Sequence, residues 1–295
     1  MASVTATHST TAARVGSRTP GFIIGQVLLY LVLLVGAIVS LFPFYYMFMA
    51  STLDKSKVLV QPPPIVPSDQ LGTNITRLLN DSTLNLAQGI WNSVIIAIVF
   101  TICSVIISSL AGYAFAKYRW RGRDLVFFLF LATLMIPNQV TFVPLFKIMA
   151  GGNPFEWNWL GTIQAVILPG LASPFGIFLM RQSMSQFPDE LIDAGRIDGA
   201  GEFGIFWRIA LPVMRPSLAA LAIFMFMTQW NSFFWPLVAQ VNTIPTRIGA
   251  LSGASIIDYS GIMTVTSISV LPLIIFFLLM QREFISGALA GSVKG

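Results

Sequence analysis

Phe22 to Ala50 reads FIIGQVLLYLVLLVGAIVSLFPFYYMFMA, and no aspartate, glutamate, lysine, arginine or histidine interrupts it. A helix needs about 20 apolar residues to cross about 30 Å of hydrocarbon at 1.5 Å per residue, so this stretch is long enough to span a bilayer. It is also too long for the apolar region of a cleavable signal, about 7 to 15 residues, and reads as an uncleaved first span. Five further apolar blocks follow at Trp91 to Ala116, Leu125 to Ala150, Leu160 to Met180, Leu218 to Ala239 and Ile262 to Met280. Hydrophobic residues make up 55% of the chain and charged residues only 10%, against about 25% charged in soluble domains. The chain therefore reads as an all-α integral membrane protein with six transmembrane helices.

An even number of spans puts both termini on one side of the membrane, and the side follows from lysine and arginine, which cytoplasmic loops retain. With the termini inside, the inner segments hold Arg14, Arg18, Lys117, Arg119, Arg121, Arg123, Arg181, Arg196, Arg208, Arg215, Arg282 and Lys294. The outer side holds Lys55, Lys57, Arg77, Lys147 and Arg247. The cluster from Lys117 to Arg123 dominates this bias. The organisation is then a cytoplasmic tail (1–21), a first helix (22–50), an outer loop (51–90), a five-helix core (91–281) with a long inner loop (181–217), and a cytoplasmic tail (282–295). Pro62, Pro63, Pro64 and Pro67 disfavour a continuous helix in the outer loop, where a short interfacial helix is predicted near Ile75 to Leu79.

Residue counts exclude most chemistry. His8 is the only histidine and Cys103 the only cysteine; Ser-His-Asp and Cys-His nucleophiles and multi-histidine metal sites therefore have no raw material. The net charge of +5 is spread over loops beside apolar spans, which fits membrane orientation rather than nucleic acid. No phosphate-binding G-x-x-x-x-G-K-[ST] loop is present. No span centre carries an ionisable residue of the kind that proton- and sodium-coupled carriers keep there. Energy must enter from another chain.

The inner loop carries helix punctuation. In Gln186-Phe187-Pro188-Asp189-Glu190, Pro188 suits the first helical position and the acids complement the positive helix end. Leu191, Ala194 and Ile197 share one face, and Gly199 fits a left-handed C-terminal cap. A second helix is predicted from Gly201 to Ala210, stopping before Pro212, with Phe203, Phe206 and Trp207 on one stripe. From pattern alone that stripe fits either a groove on a partner or the membrane interface.

Spacing adds a resemblance. Asp193-Ala194-Gly195 is followed after three residues by Gly199, then after nine more by Ile209, and by Leu211-Pro212. This resembles the Glu-Ala-Ala hallmark of the permease subunits of ATP-binding-cassette (ABC) importers, with Asp193 in place of Glu and Gly195 in place of the second Ala. Asp193 shortens the reach of the charge, and Gly195 loosens a helix by up to about 1 kcal/mol relative to Ala. Ile197-Asp198-Gly199-Ala200 and the aromatic run after it are similar to the carbohydrate branch, in particular the six-span maltose-type permease. Gly287-Ala288-Leu289-Ala290-Gly291-Ser292-Val293-Lys294-Gly295 resembles that branch's C-terminal signature. The resemblance implies a type I ABC importer permease fold in which the first loop helix is a coupling helix seated in a cleft of a cytoplasmic ATPase. The implied coupling set is Asp193, Ala194, Gly195, Asp198, Gly199, Ala200, Phe203, Phe206, Trp207, Ile209, Leu211 and Pro212.

It further implies a second related permease, two ATPase subunits that bind the ATP and Mg, an extracytoplasmic sugar-binding protein touching the segment Gln240 to Gly261, and a bacterial or archaeal cytoplasmic membrane. No cofactor belongs to this chain, and it is not an enzyme. A self-contained secondary carrier or channel is the alternative.

The polar residues that enter the spans are neutral: Asn92, Asn138, Gln139, Gln229 and Asn231, among Trp230, Trp235 and other aromatics. Amides beside aromatic faces suit sugars, whose hydroxyls need partners and whose C–H faces stack on rings. They equally suit interhelical hydrogen bonding and interfacial anchoring. Ser108, Gly112 and Ala116 predict close helix packing, and Pro137, Pro169 and Pro174 predict kinks.

Overall fold

The computed structural model describes residues 20–292, with side chains from Ile24 to Arg282. His8, Arg14, Arg18, Lys294 and the side chains of the C-terminal signature lie outside the described residues. The chain divides into a unit ending at Tyr46 and a unit beginning at Met47. The first is the front of α1 (Pro20–Ser51), an uninterrupted helix whose apolar side chains from Val27 to Phe44 are exposed.

The second unit begins with the outer loop and α2 (Leu71–Asn80), longer than the short helix predicted there. The central helix α3 (Leu86–Lys117) is followed by α4 (Arg123–Ala132), α5 (Asn138–Met149), α6 (Ile163–Ile167) and α7 (Pro174–Ser185). The inner loop carries α8 (Asp189–Ile197), α9 (Glu202–Ile205) and α10 (Leu211–Val213). It leads into α11 (Arg215–Trp230), α12 (Phe234–Val238), α13 (Ile244–Ser252) and α14 (Tyr259–Ser292). The helix α14 thus runs well past the predicted start of a tail at 282.

Three described helices are long and apolar enough to cross a membrane alone, and by length and composition the count is up to 6 if each of three bent pairs is one span. The third apolar block is broken at Pro137 by 101° and the fourth by 44° in the segment bounded by Pro169 and Pro174. Proline removes the backbone donor and clashes with the preceding turn. The fifth span differs from the Leu218–Ala239 block: α11 ends at Trp230. The Asn231 backbone N–H and side-chain amide both donate to the Met227 carbonyl, at 3.1 and 2.9 Å. The helix ends at this point.

The core is organised by α3, which packs against α7 and α11, with α14 completing the group on α11. Small residues permit this approach. A Cβ on Gly112 would sit 2.8 Å from the Arg181 amide nitrogen, and one on Gly176 would collide with Ser108. The hydroxyls of Thr101 and Ser109 donate to carbonyls one turn back, at 2.6 Å each, so they enter the bundle without unpaired donors.

Charged residues gather at opposite ends of this unit. At one end, Asp258 accepts from Arg77, from Lys55 Nζ at 3.0 Å and from the Gly261 amide at 2.9 Å. Asn74 donates to the Ser51 and Leu53 carbonyls, both at 2.9 Å, joining α2 to the end of α1. At the other end, Lys117 meets Asp189 and Arg181 meets Asp124. These are the two groups of loops that the lysine and arginine distribution assigned to opposite sides.

Two measurements probe this architecture. Gly112→Leu overpacks the α3–α7 contact and lowers stability by about 1–3 kcal/mol, read as a lower melting temperature in detergent, whereas Gly36→Leu, with open space around it, leaves it unchanged. Burial works against the Asp258 charge, but the bonds from Arg77, Gly261 and Lys55 outweigh it and hold the carboxyl below its usual range. Its contribution is therefore complete above the unfolded carboxylate value of about 3.9 and is lost as pH falls through the lower folded value. Melting temperature is expected to fall more steeply below about pH 4 in the unaltered protein than in Asp258→Asn.

Candidate coupling loop and solute pathway

The loop between α7 and α11 is built as two short helices joined at a glycine. Pro188 stands just outside α8, with φ −63° and ψ 129°, rather than at its first helical position. Its extended ψ places Asp189 and Glu190 in the first turn, where their charge favours the helix. Gly199 adopts φ +79°, as its predicted role requires. Its amide donates to the Arg196 carbonyl at 3.0 Å and the Ala200 amide to the Gly195 carbonyl at 2.9 Å, the paired bonds of a Schellman motif.

The second helix does not stop before Pro212. After α9 the chain widens into a π turn over Phe206–Ala210, in which the Leu211 amide reaches back to the Phe206 carbonyl, and the helical run continues through Pro212 to Val213. The aromatic stripe is divided. Phe203 and Trp207 are 64% and 44% exposed and meet edge to face at 6.0 Å. Phe206 is 2% exposed and packs on Tyr113 at 5.3 Å.

Phe206 is therefore an anchor of the loop on α3 and not part of its outer surface. Ile209 and Leu211 pack on the same inner cluster. Gly195 also faces inward: a Cβ there would lie 2.8 Å from Ile209 Cδ1 and 3.1 Å from Ile205 Cγ1. The glycine is matched to two bulky isoleucines and is more than a weaker helix former. The outer face keeps Asp193, Ala194, Asp198, Gly199, Ala200, Phe203, Trp207 and Pro212.

An ionic frame braces the loop against α3. Arg196 donates to Asp193 at 3.3 Å and to Glu202 at 2.8 Å, spanning the two short helices. Tyr118 donates to the other Glu202 oxygen at 2.7 Å, and Lys117 donates to the Phe187 carbonyl at 2.5 Å and Asp189 at 2.6 Å. The Arg196 and Tyr118 bonds hold the Glu202 carboxyl below the usual range, and the Lys117 bond does the same for Asp189. Burial and the bond to Glu202 push the Tyr118 phenol up to about 12. The sequence marks Lys117 only as an orientation charge and gives Tyr118 and Glu202 no role. The bonds of Lys117 and Tyr118 to the loop span 70 or more positions, beyond any helical spacing.

The neutral residues of the spans separate into two cavities. One, about 380 Å³, is lined by Asn138, Gln139, Thr141, Phe142, Ser232, Phe233, Phe234 and Trp235, with Leu145, Pro169 and Gly170. The other, about 390 Å³, is lined by Trp230, Asn231, Phe233, Ile244, Pro245, Ile248, Gly249, Thr266 and Ser269. Phe233 forms a wall of both, and neither has a charged side chain. Trp235 is held by its indole N–H on the Ala165 carbonyl at 2.9 Å, with its ring 6.0 Å from Phe142. Two predicted residues, Asn92 and Gln229, line neither cavity, and Trp230 meets the second from a buried position. Trp230 is stacked on Phe226 and bonded to the Ser269 carbonyl. Asn92 donates to the Asn242 carbonyl at 2.9 Å.

Known proteins share this architecture. The crystal structure of a bacterial ABC transporter involved in the import of the acidic polysaccharide alginate superposes with a TM-score of 0.69 at 22% identity, covering 90% of this chain and 98% of that one. The MetNI methionine ABC transporter in its inward-facing form gives 0.52 at 21% identity, covering 72% and 97%. In sequence, the arabinooligosaccharides transport system permease protein of Halalkalibacterium halodurans is 38% identical over 78% of this chain and 87% of its own. The lactose transport system permease protein of Rhizobium radiobacter is 37% identical, covering 90% and 95%. The sn-glycerol-3-phosphate transport system permease protein of Yersinia pestis is 32% identical, covering 88% and 94%. A family profile matches residues 104–286, a stretch that contains the whole braced loop. With that match and relatives of this identity and coverage, the chain belongs to the family of binding-protein-dependent transport system inner membrane components.

Proposed function

We propose that this chain is one permease subunit of an ATP-driven importer of neutral sugars, most closely oligosaccharides or related glycosides. It works with a second related permease, two cytoplasmic ATPase subunits that bind ATP and Mg, and an extracytoplasmic sugar-binding protein. The membrane is the cytoplasmic membrane of a bacterium or archaeon, with both termini inside. The observation that carries this reading is the braced loop: an outward face of small residues and two aromatics, backed by an inward face keyed to α3. Movement of such a loop is passed through Lys117, Tyr118 and Phe206 to α3, and from α3 to α7 and α11.

The sugar assignment rests on the cavities, whose amides, hydroxyls and rings carry no charge, and on relatives named for arabinooligosaccharides and lactose. A lining without a cation fits a neutral glycoside better than a phosphate ester. Asn138, Gln139 and Trp235 are the residues proposed to touch solute in the first cavity, and Asn231 in the second.

Gly199→Asp places a side chain in the left-handed region and a new charge on the outer face. Transport by the assembled complex is expected to fall by about tenfold or more, equivalent to at least 1.4 kcal/mol in coupling, with membrane insertion unchanged; Trp207→Ala should behave alike. Normal uptake by Gly199→Asp, or uptake driven by an ion gradient without nucleotide, would replace this reading with that of a self-contained carrier. Glu202→Gln and Tyr118→Phe weaken the brace without touching the outer face. They are expected to lower the sugar transported per ATP hydrolysed while the ATPase subunits still copurify.

A further inference from the structure

The hairpin between α5 and α6 displays a short aromatic ladder. Phe155 and Trp157 are 69% and 54% exposed, their ring centroids 5.1 Å apart, and Trp157 lies 5.8 Å from Trp159. The hairpin is rigidly tied. The Asn153 side chain donates to the carbonyls of Ile148 and Trp157, at 2.9 and 2.7 Å, and accepts from the amides of Phe155 and Trp157, at 3.1 and 3.2 Å. Ala150 and Asn158 form an antiparallel bridge below it. One asparagine thereby fixes both the start and the middle of the ladder.

The ladder leads inward. Trp159 packs against the same buried cluster as Leu145 and Trp235, which line the first uncharged cavity, and Trp235 continues to Phe142 inside it. Aromatic faces in series, starting in solvent and ending at amides and hydroxyls, match the alternating C–H and hydroxyl surfaces of a sugar chain. A membrane anchor needs interfacial rings but no fixed order among them. Here the exposed Glu156 lies between the two outermost rings in sequence, and its charge opposes burial of this tip in hydrocarbon.

We propose that Phe155, Trp157 and Trp159 form a saccharide-stacking ladder that receives the sugar units of a neutral oligosaccharide at the outer rim and directs them toward the cavity at Trp235. The ladder rests on the importer function and outward orientation proposed above. Because stacking adds with each ring engaged, it favours longer saccharides over short ones.

The test uses the complete transporter in proteoliposomes with its binding protein, and compares uptake of lactose and of arabinooligosaccharides of graded length. In the double variant Phe155→Ala/Trp157→Ala, the half-saturating concentration for the longest saccharide transported is expected to rise about five- to tenfold. The maximal rate and the shortest saccharide should change little, and Trp157→Phe should retain most of the preference. Equal losses at every length, or none, overturn the ladder while leaving the importer reading intact. So does strong quenching of Trp157 fluorescence by brominated lipid, which would place the ring in the bilayer. Failure of the unaltered transporter to take up any of these saccharides overturns the importer reading and the ladder together.

Discussion

The approach of α3 to α7, nearly backbone to backbone at Gly112, is the constraint from which the other contacts follow. With no side chain at Gly112 and only a hydroxymethyl at Ser108, the two helices come close enough for Met180 and Met184 to be enclosed with Phe206, Ile192 and Ile205 in one buried cluster. That cluster is the seat of the inner loop. In lipid, where apolar side chains gain little by leaving the solvent, such close van der Waals fit is what associates helices. A wider α3–α7 spacing would open the seat, and Lys117 and Tyr118 would no longer reach Asp189 and Glu202. The fit of two membrane helices thus sets the position of a loop outside the membrane.

Much of this was legible in the sequence, for identifiable reasons. Hydrophobic block length located the three long apolar helices and the three bent pairs that are candidate spans, because the bilayer imposes one length on every span. Gly199 was readable because a left-handed cap has a strong residue preference, and the small residues of α3 were readable from their spacing. What escaped was set by tertiary geometry. The burial of Phe206 is set by its contact with Tyr113 on α3, a tertiary contact that a stripe drawn at helical spacing does not contain. The end of α11 at Trp230 falls inside the Leu218–Ala239 apolar block, so hydropathy does not mark it. Within the candidate pathway, Asn138, Gln139 and Trp235 converge on one cavity and Trp230 and Asn231 on the other, whereas Asn92 lines neither and ties α3 to the Asn242 carbonyl. Residue type alone does not distinguish an amide that lines a cavity from one that ties a loop.

Asp193 and Gly195, where the loop departs from the hallmark it resembles, acquire local explanations. Asp193 lies one turn before Arg196 and pairs with it, so its shorter side chain serves an interaction within the loop. Gly195 vacates space that Ile205 and Ile209 occupy. The Gly195 change fits α8 against the second helix, while the Asp193 pair, within α8, holds Arg196, whose bond to Glu202 makes the join.

The bend at Met214 sets α11 at 83° to the helical run that precedes it. A rod standing upright on a foot laid flat does not respond to a sideways push by sliding along its own length. It tilts. Any displacement of the inner loop across the axis of α11 is therefore delivered to the helix as torque about its base, and the far end, where Asn231 and Phe233 line the cavities, travels the greatest distance. The geometry is that of a lever, with its short arm in the loop between α7 and α11 and its long arm at the two cavities.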